Sequence, residues 1–240
     1  MVKSIDYISV VIIAKNAELT IHRCLSSLSL FKEIVLYLNN STDGTEKIAL
    51  NFPNVVVCKG PFLGFGETKQ KAVSRASNNW ILSLDSDEVL DESLVDHLLQ
   101  THLSNHCVYA FRRILYYKTH KIKFSGLYNE KVIRLFNREK TNFNNQLVHE
   151  TVVVNNLNIK FIKGDIQHYS FNSISDFIQK IDSYSSLYAK QNNKYASPFF
   201  AVIKSVICFI KFYFLKLGFL DGYVGFLVSY SFAVGVFYKY

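Results

Sequence analysis

The apolar positions of the first ninety residues fall into short continuous runs separated by polar turns. Ile8–Ala14 (ISVVIIA) is an unbroken, mostly β-branched run, as expected of a strand buried on both faces. After it, Ile21, Cys24, Leu25 and Leu28 recur at helical spacing. Residues 33–38 (EIVLYL) predict a second strand, 39–45 (NNSTDGT) a turn opening a helix, and 54–58 a third strand. Residues 68–76 predict a helix and 80–84 (WILSL) a fourth strand, ending at Asp85-Ser86-Asp87. Strands alternating with helices in this way predict an α/β fold, a mostly parallel sheet with helices on both faces. Ligands of such sheets sit beyond the carboxyl ends of the strands. Lys15-Asn16, the NNSTDGT turn and Asp85-Ser86-Asp87 all follow strands directly, so three polar clusters are expected at one sheet edge.

The second half is less regular. Residues 108–113, 132–136 and 151–154 read as strands and 173–191 as an amphipathic helix. Residues 199–217 read as a basic helix with Lys204 and Lys211 seven apart on one side. Residues 219–237 form an apolar stretch broken by Asp221, Gly222, Gly225 and Gly235, close to the length of about 20 that a spanning helix needs. A helical hairpin lying in a membrane interface is favoured over a true span, with ordinary core packing as the plainer alternative.

Composition adds limits. Of 240 residues, 49% are hydrophobic and 19% charged, enough to build a sizeable core and to exclude global disorder. With three prolines, ten glycines and no low-complexity linker, texture alone divides the chain, into residues 1–195 and a basic, aromatic tail over 196–240. The net charge of +8 is scattered, without the dense Lys/Arg run of a nucleic-acid binder, so no nucleic-acid partner is expected. In the tail, Lys204, Lys211, Lys216 and Lys239 face only Asp221, which favours an anionic membrane surface. Cys24, Cys58, Cys107 and Cys208 sit singly, predicting neither a zinc cluster nor disulfides. The opening MVKSIDYISVVIIAKN is too polar for a secretory signal, and a cytoplasmic protein is expected.

No glycine precedes Gly44, which removes a glycine-rich dinucleotide turn or a P-loop after the first strand. Asp85 and Asp87, two carboxylates at i and i+2 after a buried strand, can instead reach one hard cation that bridges diphosphate oxygens. The same residues also read as a helix start, with Asp87 or Asp91 capping the helix through Leu94, Leu98 and Leu99. His97, His102 and His106 read as a solvated face rather than a zinc site.

The order ISVVIIAKN, NNSTDGT, GFGETKQKAVSRASNNWILSLDSDE resembles glycosyltransferase family 2, the inverting enzymes of the GT-A fold. More narrowly, it resembles short bacterial enzymes of lipopolysaccharide or lipooligosaccharide core biosynthesis. Gly126, Arg134 in VIRLFNR, Val148-His149-Glu150, His168 in IQHYS, Lys180 with Tyr184, and the GFLDG segment (218–222) extend the resemblance over nearly the whole chain. It implies a nucleotide-sugar donor, UDP-linked, with glucose or galactose as the hexose moved, and a lipid-linked saccharide acceptor at the cytoplasmic face of the inner membrane. It implies donor contacts from Ala14, Asn16, Asn40, Asp43, Lys69 and Asp85. Mg²⁺ or Mn²⁺ would be ligated by Asp87 and His168, and Glu150 would be the general base. On the residues alone, His149-Glu150 also reads as a turn pair and His168 as a structural histidine. The family's usual Asp at the position of Leu38, and its frequent acid at Ala17, are missing here, with Glu18 a partial substitute. Two rival classes stay open: a non-catalytic saccharide- or membrane-binding module, and a nucleotidyltransferase, for which the glycine-rich basic loop is absent.

Overall fold

The structure is a computed structural model that describes residues 4–126, 128, 130–146, 150–171, 173–179, 181–182 and 197–239. They form two compact units: residues 1–113 with 131–168, and residues 114–130 with 169–240.

In the first unit, β1 (Ile8–Ala14) pairs in parallel with β2 (Glu33–Asn39) on one side and β4 (Trp80–Asp85) on the other, and β3 (Val55–Gly60) extends the parallel set beyond β2. All seven β1 residues are buried, as a central parallel strand covered on both faces must be. One face carries α1 (Ile21–Ser26), α2 (Thr45–Ala49) and α4 (Glu92–Gln100), whose Ile21, Leu25, Ala49 and Leu94 join Ile12, Leu36 and Leu84 in the larger core. On the other face, Ala72 and Val73 of α3 (Phe65–Val73) pack with Val11, Val35 and Ile81. β5 (Glu88–Leu90) follows the Asp85-Ser86-Asp87 turn. The sheet continues through β6 (Cys107–Tyr117), β8 (Glu130–Asn137) and β9 (Asn158–Phe171) in the order β3-β2-β1-β4-β8-β6-β9-β5. β8 is antiparallel to β4 and β9 antiparallel to β5, while the short β7 (His120–Lys121) pairs with β6.

Two expectations change. Residues 151–154 do not form a strand: their one ladder contact is a bridge from Val152 to Phe143. That bridge consists of two backbone bonds, Val153 N–H donating to the Asn142 carbonyl and Asn144 N–H to the Thr151 carbonyl, both at 3.0 Å, and the pairing goes no further among the described residues. The third helix starts at Phe65 rather than 68, because Gly64 takes φ +94° and turns the chain into it.

In the second unit, residues 174–179 and 181–182 are helical, while residues 183–191 of the expected helix, and with them Tyr184, lie outside the described residues, as does Lys180. Phe177 packs with Tyr117, Ile122, Val224, Leu227 and Val228 in a small core of its own. The tail forms α5 (Pro198–Ile210), continued by a wider helical turn over Lys211–Leu215, then a 3₁₀ turn over Gly218–Asp221 and α6 (Gly222–Tyr238). Pro at the first turn of α5 donates no N–H where none is needed. By length and apolar composition, Pro198–Leu215 and Gly218–Tyr238 could each cross a membrane.

Candidate active site

The register of the parallel strands brings their ends level: Ala14 lies beside Leu38, and Ile13 beside Asp85. Past β1 and β2 the chain leaves through Asn16 and Asn40, both left-handed (φ +51° and +58°), a conformation asparagine tolerates better than most residues. Their loops interlock. Thr42 N–H donates to Asn16 Oδ1 at 2.9 Å, and Asn16 N–H to Ser41 Oγ at 3.1 Å. Ala17 N–H donates to Thr45 Oγ1 at 2.8 Å. Asp43 accepts from Glu18 N–H at 3.0 Å and Thr45 N–H at 3.1 Å, and the Glu18 carboxylate accepts in return from Gly44 N–H at 3.1 Å. Burial pushes the Asp43 carboxyl upward, but the Thr45 hydroxyl and these N–H donors outweigh it and leave it below its ordinary value. Ala14, Asn16 and Asp43 thus belong to one hydrogen-bonded rim, with Asn40 exposed beside it. Leu38 and Ala17 are buried in the core, where a carboxylate would need a partner, so the missing acids are replaced by packing.

A second cluster lies at the end of β4. Lys69, on the inner side of α3, is 1% exposed, and an ammonium so enclosed must be paired. Its Nζ lies 2.9 Å from Asp85 Oδ1 and 2.6 Å from Glu150 Oε1, over the Phe143 ring. Asp85 Oδ2 accepts from Arg134 Nη2 at 2.6 Å, and the same guanidinium nitrogen donates to Glu88. Glu88 is fully buried. Its Oε2 accepts from Asp85 N–H at 3.0 Å, and Arg113 approaches Oε1 at 3.6 Å. Burial alone would raise the Asp85 carboxyl, but Arg134, Lys69 and His168 together hold it well below the usual carboxylate range. Burial works against the Arg134 charge, and Asp85 and Glu88 more than restore it. Burial and the negative charges of Glu88, Asp87 and Asp85 push the Cys24 thiol well up, so it is a structural group rather than a nucleophile.

Asp87 faces His168, with Oδ2 and Nε2 3.2 Å apart. β5 fixes this pair by setting Glu88 opposite His168 in the antiparallel ladder. The helix start expected at Asp87 or Asp91 falls to Asp91, whose side chain accepts from Leu94 N–H at 2.7 Å, so Asp87 is not spent as a cap. The two donors fit a hard divalent cation: neighbouring ligands at bond lengths of about 2.1 Å are about 3 Å apart in an octahedron. No group of three or more His, Cys, Asp or Glu side chains suited to a metal occurs among the described residues. A cation here would therefore draw its remaining ligands from phosphate and water, as Mg²⁺ commonly does.

The expected site residues thus fall into three neighbouring sets: the rim of Ala14, Asn16, Asn40 and Asp43, the ion-paired set of Lys69, Asp85 and Glu150, and the pair Asp87–His168. Val148 and His149 lie outside the described residues. Sequence reasoning missed Glu88 and Arg113, and took Arg134 only as part of a motif. The signal for Arg134 was a lone charge inside the apolar run of VIRLF, where a strand position facing the core demands a buried partner.

A mostly parallel sheet of this order, continued by antiparallel strands and carrying its polar groups at the parallel strand ends, is the GT-A fold of nucleotide-sugar transferases. The family description "Glycosyl transferase family 2" matches residues 9–163. The chain belongs to glycosyltransferase family 2, and is a glycosyltransferase with a nucleotide-sugar donor. It is 30% identical over 97% of its length to an uncharacterized glycosyltransferase of Rickettsia prowazekii, covering 85% of that protein. It is 26% identical over 96% of its length to the lipopolysaccharide core biosynthesis glycosyltransferase LpsC of Rhizobium meliloti, covering 89% of it. Among solved structures, glucosyl-3-phosphoglycerate synthase from Mycobacterium tuberculosis aligns at 24% identity and a TM-score of 0.37, over 46% of this chain and 43% of that one.

Proposed function

We propose that the protein transfers a hexose, glucose or galactose, from a UDP-linked donor to a lipid-linked saccharide core, with inversion at the anomeric carbon. The observation that carries this reading is Lys69, a buried cation shared by a carboxylate at the strand end (Asp85) and a carboxylate on the loop beyond (Glu150). The rim of Ala14, Asn16, Asn40 and Asp43 lines the nucleoside side, and Asp85 reaches toward the ribose. Asp87 and His168 would hold Mg²⁺ or Mn²⁺, which would supply positive charge against that developing on the departing diphosphate. Glu150 takes the proton of the attacking acceptor hydroxyl, and Lys69 orients it. The core-biosynthesis relative supports the acceptor class. The two apolar tail helices and their lysines support a peripheral position on the cytoplasmic face of the inner membrane.

The test is a thermal-shift screen of nucleotide sugars with and without Mn²⁺. A donor at 100 times its Kd should add about 2.7 kcal/mol of stability. UDP-glucose or UDP-galactose should shift the unfolding midpoint in a metal-dependent way, and Asp87→Asn should remove that dependence and turnover while leaving the fold intact. Full transfer in excess EDTA, or an active Asp87→Asn variant, would overturn the metal-dependent reading.

A further inference from the structure

The two tail helices carry an apolar surface that nothing among the described residues covers. On α5, Ala201 is buried and Ser205 Oγ donates to the Ala233 carbonyl of α6 at 2.7 Å. The opposite side of α5 presents Phe199, Ile203, Val206 and Ile210 to solvent, and Phe214 of the wider turn that continues it is exposed as well. Lys204 and Lys211 flank that side, both exposed. Length alone allows either helix to cross a bilayer, so the decision rests on how the ends of the hairpin are tied.

The turn end is tied to an excursion between two sheet strands. Asp221 accepts from Lys123 N–H at 3.1 Å and Phe124 N–H at 2.7 Å, and Ser125 N–H donates to the Lys216 carbonyl at 3.0 Å. Gly218 lies so close that a Cβ there would meet Ser125 Oγ at 2.6 Å. Ser125, Gly126, Leu217 and Gly222 all have positive φ, so this junction is irregular backbone, which hydrocarbon does not admit on a lipid-exposed face. The stretch that ties it, residues 118–129, joins β6 to β8 and is too short to cross a bilayer and return, so the turn stays on the side from which those strands leave. The other end is tied by the chain itself: residues 183–196, SYSSLYAKQNNKYA, join residue 182 to α5 in sequence. That segment is too short and too polar to cross, since a span needs about 20 mostly apolar residues. Neither end of the hairpin can reach the far side.

We infer that α5 and α6 lie within one leaflet of an anionic bilayer as an in-plane wedge and do not span it. This rests on the membrane-contacting reading above and settles the topology within it. Lys118, Lys123, Lys211 and Lys216 are exposed and pair with no carboxylate among the described residues, which matches the charge of anionic headgroups. An in-plane position also keeps Lys204 and Lys211 at headgroup level, whereas a span would draw both into hydrocarbon.

The experiment places one added cysteine at each end of the hairpin, Lys216→Cys and Lys239→Cys, in the full chain. Membranes carrying each variant are prepared as sealed vesicles of both orientations and treated with a membrane-impermeant maleimide. The unsubstituted chain gives the background from Cys24, Cys58, Cys107 and Cys208. Both variants should sediment with the membranes and react from the same face, at least tenfold above background. Reaction from opposite faces would show a crossing and overturn the inference, as would shielding of both sites until detergent is added. A chain that stays in the supernatant overturns the membrane-contacting reading itself, and self-association of that soluble chain would assign the apolar face to a second copy.

Discussion

Lys69 is the residue on which the chemistry of the site turns, because an ammonium so deeply enclosed needs a carboxylate partner, and here it is shared by two. Glu150→Gln keeps the shape of one partner and removes its basicity, while Asp85 still pairs the lysine. Single-turnover transfer at saturating donor should fall by about 10²–10⁴, with donor affinity by calorimetry almost unchanged. Near-normal transfer would leave another group as the base, and a large loss of donor affinity would move Glu150 to the nucleotide side. Asp85 predicts a pH dependence. Its carboxyl is held well below the usual carboxylate range, so its stabilising charge is fully present above about pH 4 and is lost as pH falls through the depressed value. Melting temperature followed from pH 7 downward should therefore drop in acid. Asp85→Asn should flatten that acid limb and lower stability at neutral pH, since Arg134 and Lys69 lose a partner. An unchanged acid limb in the variant would assign the effect to other carboxylates. Asp85 and Asp87 were legible in the sequence because a D-x-D at a strand end is a short-range pattern. Glu88 and Arg134 were not, because their partners lie 46 residues apart in the chain.

At the scale of elements, α3 does more than carry Lys69. Gly66 N–H donates to the Gln146 carbonyl at 3.1 Å, and Gln70 Nε2 to the Phe143 carbonyl at 2.6 Å, so the helix holds the loop that leads to Glu150. A Cβ on Gly66 would collide with the Asn144 carbonyl oxygen. Gly66→Ala should push that loop outward and cut transfer by about 10²-fold, the usual penalty of a displacement near 1 Å. Donor-induced thermal shift should persist, because the rim at the ends of β1 and β2 does not touch this contact. Loss of both would mean that α3 itself had moved. The parallel strands were readable because buried strands leave continuous apolar runs. Residues 151–154 misled for the same reason: TVVV has the composition of a strand, but it pairs with the polar loop before it through a single bridge, too short a ladder to make one.

For the whole molecule, hydrophobic texture marked a tail but not the second compact unit, which joins residues 114–130 to 169–240. Its unifying bonds run from one aspartate to two backbone N–H groups 97 and 98 residues away, and no periodicity reports such a pairing. The same unit has a core in which Val224, Leu227 and Val228 of α6 cover Tyr117, Ile122 and Phe177. That arrangement bears on how a detergent-free preparation should be engineered. Deleting the helices would strip the cover from Tyr117, Ile122 and Phe177 and trade one sticky surface for another. Recolouring the outer side of α5 instead, with Glu or Gln at Phe199, Val206 and Ile210, leaves every inward contact and the Asp221 junction in place, and is the route to a crystallisable, freely soluble enzyme.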